Sequence, residues 1–333
     1  MHALQLKKYA GLDHVAFAEV PRPALQADEL LVQVHAVGLN PIDNLIPKGD
    51  FKPILKMRLP ATLGSDLAGV VVEVGSAVTR FKVGDAVYAS IFDTPHGSLA
   101  DFAAVPEHAA ALKPATLDFV QAASVPMVGL TAWQALHERM QLKRGQKIFI
   151  PAGSGGIGTF AIQLAKHLGA HVATTTSTAN VELVRGLGAD EVIDYKRQQF
   201  EEVLQGYDAV LGTVRGDGLE KALNIVQPGS NVVSLIGPPD AAFARARGMN
   251  VVLKLVFGLL SRKIIGLAKR RGARYAFHFV RPDGGQLAQL AALLDAGSIH
   301  PVIDRVFPFA EAKDALAYLA RGRARGKVVV RLR

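Results

Sequence analysis

The sequence predicts an α/β protein in which a β-rich unit precedes a doubly wound parallel sheet. Three features predict it. Residues 1 to about 120 carry short apolar runs separated by Gly, Pro and Asp, the pattern of several short strands closing into a small barrel-like unit. From near Leu117 onward, strand-like and helix-like segments alternate, as they do when crossover helices join parallel strands. Near the head of that alternation stands the glycine-rich run Pro151-Ala152-Gly153-Ser154-Gly155-Gly156-Ile157-Gly158.

In chain order, Glu29 to Val37, Ala68 to Val74 and Phe81 to Tyr88 supply the clearest strands and turns of the first unit. Phe119 to Gln141 reads as helical. Strands are then expected at 147–152, 171–176, 191–195, 207–212 and 231–236, with helices between them such as Ala179 to Leu187 and Gly218 to Val226. Residues 249–268 are strongly apolar. They are expected to form a buried helix over a substrate cleft or at a subunit contact, with a membrane-surface helix as the competing expectation. Tyr275 to Val280 reads as a last strand and Leu287 to Ala296 as a helix. Val328-Val329-Val330 reads as a terminal strand that rejoins the first unit. The expected domains are therefore 1–120 with 281–333, and 121–280.

Composition narrows the classes. At 333 residues and 50% apolar content, the chain has the length and core of a two-domain globular protein. It contains no cysteine, which rules out disulfides and thiolate zinc sites and points to a cytoplasmic setting. The N-terminus lacks the long apolar stretch of a secretory signal, and no apolar run reaches the roughly 18–20 residues that span a bilayer. The formal charge of +9 is concentrated, because ten Lys and Arg and no acid lie between Ala241 and Arg281. The expectation is a solvated basic helix beside an anionic cofactor or at a subunit contact. No aromatic-rich RNA-binding motif accompanies it, so nucleic acid is not the expected partner.

Gly153, Gly155 and Gly158 fit the G-x-G-x-x-G spacing between Lys147-Ile148-Phe149-Ile150 and the helix-like Thr159 to Lys166. In that setting the backbone from Gly153 through Ser154, Gly155, Gly156, Ile157 and Gly158 turns tightly. It presents N–H groups and a helix N-terminus to the pyrophosphate of a dinucleotide. NAD-binding folds then place an acid about 20 residues on, for the ribose 2′-hydroxyl. The segment His171 to Asn180 has none, and the next acid, Glu182, lies inside the following helix. The hydroxyls and amide of that segment suit a 2′-phosphate better, so NADPH is the expected cofactor. Tyr195, ending the third strand, is a further candidate donor to that phosphate.

At this point the chain resembles the medium-chain dehydrogenase/reductase superfamily, in its zinc-free quinone oxidoreductase and alkenal (enone) reductase branch. The resemblance covers essentially the whole chain. It rests on Gly38-Leu39-Asn40-Pro41-Ile42-Asp43, Gly64-Ser65-Asp66-Leu67-Ala68-Gly69-Val70-Val71, Phe81 to Tyr88 and Gly97 to Phe102. Gly129-Leu130-Thr131-Ala132-Trp133, Leu187 to Tyr195 and Gly322 to Val329 continue the series. It implies a GroES-like β-rich catalytic domain plus a Rossmann doubly wound parallel-sheet domain. A homodimer is expected, with the strand Asn231 to Ile236 and the apolar helix after it as the contact. It also implies that Asn40 and Thr131 lie near the nicotinamide, that Leu235, Ile236 and Phe279 line its pocket, and that Ser177, Thr178, Asn180 and Tyr195 meet the 2′-phosphate. Zinc members carry cysteine and histidine at positions matching Asn40 and Ser65, and a second cysteine near Met127; none of these residues is a good zinc ligand. Two departures stand out: Leu45 replaces a tyrosine or lysine of relatives, and Gly212 replaces an aspartate that usually ends the fourth strand.

The expected chemistry is hydride transfer from NADPH to a small quinone or α,β-unsaturated carbonyl, with no metal. Charge developing on a conjugated oxygen needs only a few preorganised donors. Asn40 is expected to orient the cofactor or substrate through its amide, and Asp43 to fix the loop that carries it. His35, His96 and His278 show no metal-like spacing and are expected to be structural. An enoyl-thioester reductase, with the basic window receiving a carrier phosphate, is the alternative enzyme. An NADPH-binding structural or RNA-binding protein is the non-enzymatic one.

Overall fold

The computed structural model describes residues 1–55 and 57–333. The chain divides into two compact units, Met1–Leu130 with Arg281–Arg333, and Thr131–Val280. The first unit begins with β1 (His2–Leu6), β2 (Val15–Glu19), β3 (Glu29–Leu39), α1 (Pro41–Leu45) and β4 (Ala61–Thr62). It continues through β5 (Asp66–Val74), β6 (Ala86–Ser90), β7 (Phe102–Pro106), β8 (Ala110–Leu112) and α2 (Phe119–Ala123). After α3 (Pro126–Trp133) come β9 (Lys147–Ile150), α4 (Gly156–His167), β10 (His171–Thr176), α5 (Val181–Gly186), β11 (Glu191–Asp194) and α6 (Phe200–Val203). The second unit ends with β12 (Tyr207–Gly212), α7 (Gly218–Ala222), β13 (Val226–Ser234), α8 (Ala241–Ala246), α9 (Val251–Arg270) and β14 (Arg274–Phe277). The chain then returns as α10 (Gly284–Asp295), β15 (Ile303–Pro308), α11 (Ala312–Ala320) and β16 (Lys327–Arg331).

In the first unit the eleven-residue β3 is the organising strand. It is buried along nearly its whole length and pairs antiparallel with β5, β7 and β16. A strand covered on both faces needs the near-continuous apolar run that Leu30 to Leu39 provides. The resulting seven-stranded sheet has the order β15-β16-β3-β5-β6-β8, with β7 on β3, and a three-stranded sheet β2-β1-β4 accompanies it. The C-terminal segment is fastened at two points. Gly284 starts α10 so close to β8 that a Cβ there would lie 2.1 Å from Ala110 O, and the fully buried Tyr88 donates its hydroxyl to Leu287 O at 2.6 Å. Residues 121–130 belong to this unit because α2 packs on β3, β5 and β16.

The second unit is a six-stranded, wholly parallel sheet in the order β11-β10-β9-β12-β13-β14. With β9 as the first strand this is the Rossmann order, whose ligand crevice lies at the carboxyl ends of the strands where the order reverses, between β9 and β12. Phe149, Tyr207, Val210, Leu223, Val232 and Ile264 belong to its core.

Four expectations are corrected. The helix expected over 119–141 breaks at Pro126, which cannot donate to a preceding turn, and ends in a π-helical stretch, Gln134–Arg139. β13 begins at Val226 and stops at Ser234, so Leu235 and Ile236 lie beyond it; β14 stops at Phe277, whose N–H donates to the Asp240 carboxylate at 3.2 Å. β13 lies between β12 and β14, and β14 is the terminal strand of this sheet. The apolar helix is not buried: Phe257, Ser261, Ile264 and Ala268 face inward, while Val251, Leu255 and Leu259 are 64–68% exposed.

Tyr88→Phe removes one buried hydroxyl bond and leaves packing intact. It is expected to cost about 1 kcal/mol, read as a lower urea midpoint with an unchanged m-value.

Candidate functional site

The glycine loop leaves β9 through Ala152, whose backbone is left-handed (φ 56°). Ala152 N donates to Thr175 Oγ1 (3.0 Å) and Gly153 N to Thr175 O (2.9 Å), pinning the loop to β10. Two glycines are demanded by close approach. A Cβ on Gly153 would lie 2.1 Å from Thr174 Oγ1, and one on Gly158 would lie 2.5 Å from Ala152 O and 2.7 Å from Gly153 Cα. Gly155, the N-cap of α4, differs in that its nearest neighbour would be 3.4 Å away, so space is left in front of the helix. No side chain caps α4, and the N–H groups of Gly156, Ile157 and Gly158 are therefore available to an anion.

Beside the loop, Ser154 Oγ accepts from Thr176 Oγ1 (3.0 Å) and Asn180 Nδ2 (3.1 Å). Asn180 Oδ1 is buried with no partner among the described residues, an acceptor waiting for a donor such as a ribose hydroxyl. Ser177 caps the short turn Thr178–Asn180 at the end of β10. Three neighbours escaped the sequence reading. Asp194 ends β11 opposite Thr176, so a carboxylate does reach this corner, from the third strand rather than the second. It accepts from Thr178 Oγ1 (2.5 Å) and Lys196 N (3.0 Å), with Arg197 Nε at 3.4 Å. These partners, the Thr178 hydroxyl first, hold its carboxyl below the usual range. Tyr195, Lys196 and Arg197 are all exposed and put two cations and a phenol beside the same corner. The loop and its surroundings thus fit a phosphorylated dinucleotide.

The remaining second-unit candidates sit at neighbouring strand ends. Leu235 N donates to Gly212 O (2.9 Å), and Phe279 packs on Phe243 at 5.5 Å. Thr131 is buried on α3. At Gly212, Leu219 of α7 fills the place of the missing side chain, 3.0 Å from where a Cβ would stand.

Asn40 and Asp43 belong to the first unit, where they form a buried polar knot. Asn40 is the N-cap of α1 and Asp43 the third residue of its first turn. Asp43 Oδ2 accepts from Asn40 N (2.7 Å) and Oδ1 from Ser65 Oγ (3.1 Å). The Asn40 amide donates to Asp66 Oδ2 (3.0 Å) and Gly38 O (3.3 Å), and accepts from Lys327 Nζ (2.5 Å). Lys327 stands 3.6 Å from Asp66, whose carboxylate also receives Met127 N at 3.1 Å. Lys327 and Asp66 were not among the residues singled out from sequence. They are brought in by β16 pairing beside the end of β3, Val328 opposite Leu39.

The positions matching zinc ligands, Asn40, Ser65 and Met127, therefore meet in one knot, with Lys327 on Asn40, Ser65 on Asp43 and the Met127 N–H on Asp66. An amide, a hydroxyl and a thioether are a poor donor set for zinc, and the Lys327 ammonium already stands beside the Asp66 carboxylate. Among the described residues no three His, Cys, Asp or Glu side chains gather as a metal site. His35 lies tilted against the Phe119 ring (4.2 Å between centroids) and His96 meets Glu29 at 2.8 Å.

Burial dominates the ionisation of the knot. It pushes the Asp43 carboxyl up from 3.8 to about 7, despite the Asn40 N–H that favours the anion. It raises Asp66 and lowers Lys327, each opposed by the other's charge. Between 3.8 and about 7 the folded chain keeps a proton at Asp43 that the unfolded chain has released. Stability contributed by this group is therefore full at the acid end of that window and falls as pH rises through it. Asp43→Asn can still accept from Asn40 N and donate to Ser65, and it is expected to flatten that part of the profile. Urea unfolding of both chains across pH 5 to 8 checks this, and equal slopes would contradict it.

Comparison with known proteins places these features. Residues 26–115 match the alcohol dehydrogenase GroES-like domain and residues 187–330 the zinc-binding dehydrogenase family. The chain is 37% identical over 324 residues to the NAD(P)H oxidoreductase RTN4IP1, mitochondrial, of Mus musculus, covering 91% of this chain and 81% of that protein. It is 35% identical to the NADPH-dependent alkenal/one oxidoreductase, chloroplastic, of Arabidopsis thaliana, covering 99% of this chain and 79% of the relative. It is also 35% identical to the chloroplast envelope quinone oxidoreductase homolog of the same plant, covering 99% and 98%. The solved quinone oxidoreductase of Coxiella burnetii superimposes with a TM-score of 0.86 at 30% identity, covering 100% of this chain and 99% of that one. The chain belongs to the medium-chain dehydrogenase/reductase family of oxidoreductases, in its quinone oxidoreductase and alkenal/enone reductase branch.

Proposed function

We propose that the chain is an NADPH-dependent reductase that transfers hydride to quinones or α,β-unsaturated carbonyls without zinc. The observation that carries it is the corner formed by Ser154, Asn180, Tyr195, Lys196 and Arg197 beside an uncapped helix N-terminus. A carboxylate free to hold a 2′-hydroxyl is the mark of NAD. The one present, Asp194, is instead occupied by Thr178 and flanked by cations. The names of the alkenal and quinone oxidoreductase relatives support the acceptor class.

When bound, NADPH supplies the hydride. The chain's own part is to bind and orient. Backbone N–H groups of Gly156 to Gly158 take the pyrophosphate, and Lys196, Arg197 and the Tyr195 hydroxyl take the 2′-phosphate. Leu235, Ile236 and Phe279 supply apolar surface for the nicotinamide, with Thr131 as a polar neighbour. Asn40 and Asp43 act by holding the β3–α1 turn. The Asn40 amide spends both N–H groups internally, and its Oδ1 keeps room for one more bond. Hydride delivery to a conjugated carbon leaves charge on the acceptor oxygen, where oriented donors are worth most in a dry site. A homodimer belongs to the same proposal, with terminal strand β14 as the edge open to a second copy. So does a cytoplasmic setting, on the chain's lack of cysteine.

Steady-state oxidation of NADPH with 1,4-benzoquinone, an alkenal and crotonyl-CoA tests the acceptor class, and a clear preference for crotonyl-CoA would replace it with thioester reduction. Lys196→Ala/Arg197→Ala is expected to raise KM for NADPH about tenfold or more while leaving KM for NADH nearly unchanged. Equal effects on both would remove these residues from the 2′-phosphate.

A further inference from the structure

Helix α9 plays no part in the nucleotide corner or the buried knot, yet it is the most unusual surface of the second unit. Its inward face, Phe257, Ser261, Ile264 and Ala268, is buried, and Ser261 Oγ donates to Phe257 O (2.7 Å) so that no polar group is stranded there. Its outward face is divided along the axis. Over the first three turns Val251, Val252, Leu255, Val256, Leu259 and Leu260 are 41–68% exposed. Over the last two turns Arg262, Lys263, Lys269 and Arg270 are exposed, and at a period of 3.6 they share that side, Arg262 lying two turns beyond Leu255. Single exposed aliphatics are ordinary, but six contiguous ones rimmed by charge mark an interaction surface.

Charge complementarity selects what covers it. No acid lies between Ala241 and Arg281, and of the outward cations Lys263 is paired, with Glu220 of α7 at 2.7 Å. A two-fold contact with a second copy would set the same patch against itself, and the basic end would find no acid in the segment of either copy to answer it. An anionic lipid surface answers both halves at once. Headgroup phosphates meet the basic end, and the apolar end enters the boundary between headgroups and acyl chains. The helix, about 30 Å long, would lie in the plane of the surface. Among the described residues no helix is long and apolar enough to cross a membrane, so the association is peripheral.

We propose that the outward face of α9 binds an anionic lipid surface, with Leu255, Leu259 and their aliphatic neighbours inserted and Arg262, Lys269 and Arg270 on the headgroups. The site is independent of the substrate class proposed above. Co-sedimentation of the full chain with phosphatidylcholine vesicles, with and without phosphatidylserine, tests it, alongside sedimentation equilibrium without lipid. Binding is expected to require phosphatidylserine and to weaken with salt. It is expected to fall about thirtyfold in Arg262→Ala/Arg270→Ala and to vanish in Leu255→Glu/Leu259→Glu. Because these side chains are exposed, the unfolding midpoints of both variants should match the parent. Binding that ignores phosphatidylserine, no binding to either vesicle, or full binding by Leu255→Glu/Leu259→Glu would overturn the proposal. If vesicles are not bound and the leucine variant turns a dimer into a monomer, the face is a contact between copies instead.

Discussion

The ammonium of Lys327 in a dry interior is the constraint on which the first unit depends. Three ionisable side chains, Asp43, Asp66 and Lys327, are almost wholly buried together, and a buried charge without partners is tolerated poorly. The cluster is stable only when every member is in place, because each satisfies another: Lys327 serves Asn40 and Asp66, Asn40 serves Asp66 and Gly38, and Asp43 holds the Asn40 N–H and Ser65. Asn40 and Lys327 are 287 residues apart. The bond between them obliges the chain to return after the second unit and to place β16 in one register against β3. A slip of one residue along β16 would turn Lys327 to the opposite face and leave Asp66 uncompensated, at a cost of about 3–5 kcal/mol. The knot thus contributes specificity of register more than net stability.

What could be read from the sequence was what is local. The alternation of strands and helices, the glycine spacing and the return of the last strand follow from periodicity and steric demand within a few residues. Gly153 and Gly158 are legible because only a missing Cβ allows the approach to Thr174 and Ala152. The corner proposed for the second phosphate was half legible. Ser177, Thr178 and Asn180 follow β10 directly, but Asp194, Lys196 and Arg197 come from β11, and their place beside Thr176 exists only once the strand order is known. Lys327 was hidden by distance along the chain, although it opens a strand that was foreseen. Helix α9 was misplaced because periodicity identifies an apolar face and says nothing about whether anything covers it; here the residues that pack inward are Phe257, Ile264 and Ala268, and the larger aliphatic face looks out.

The two units handle charge in opposite ways. In the second, cations are kept at the surface, at Lys196 and Arg197 beside the nucleotide corner and along α9, where they remain available to phosphate. In the first, Lys327 is enclosed and committed. This division separates binding from framework: exposed Lys and Arg lose their influence with salt, whereas the buried ammonium is screened little and acts as a fixed part of the fold.

A fixed ammonium also limits chemistry. Lys327 answers the Asp66 carboxylate beside Asn40, but it has no vacant orbital and cannot accept an electron pair from a carbonyl or alkoxide as a Lewis acid does. It offers hydrogen bonds alone, and one of them is already given to Asn40. To an isolated carbonyl this set of side chains offers hydrogen bonds rather than coordination. Acceptors that carry their own activation, with the incoming charge spread over a conjugated oxygen, need only orientation, a dry surface and a few donors. Conjugated acceptors, the class proposed for this chain, make the least demand on such a set of side chains.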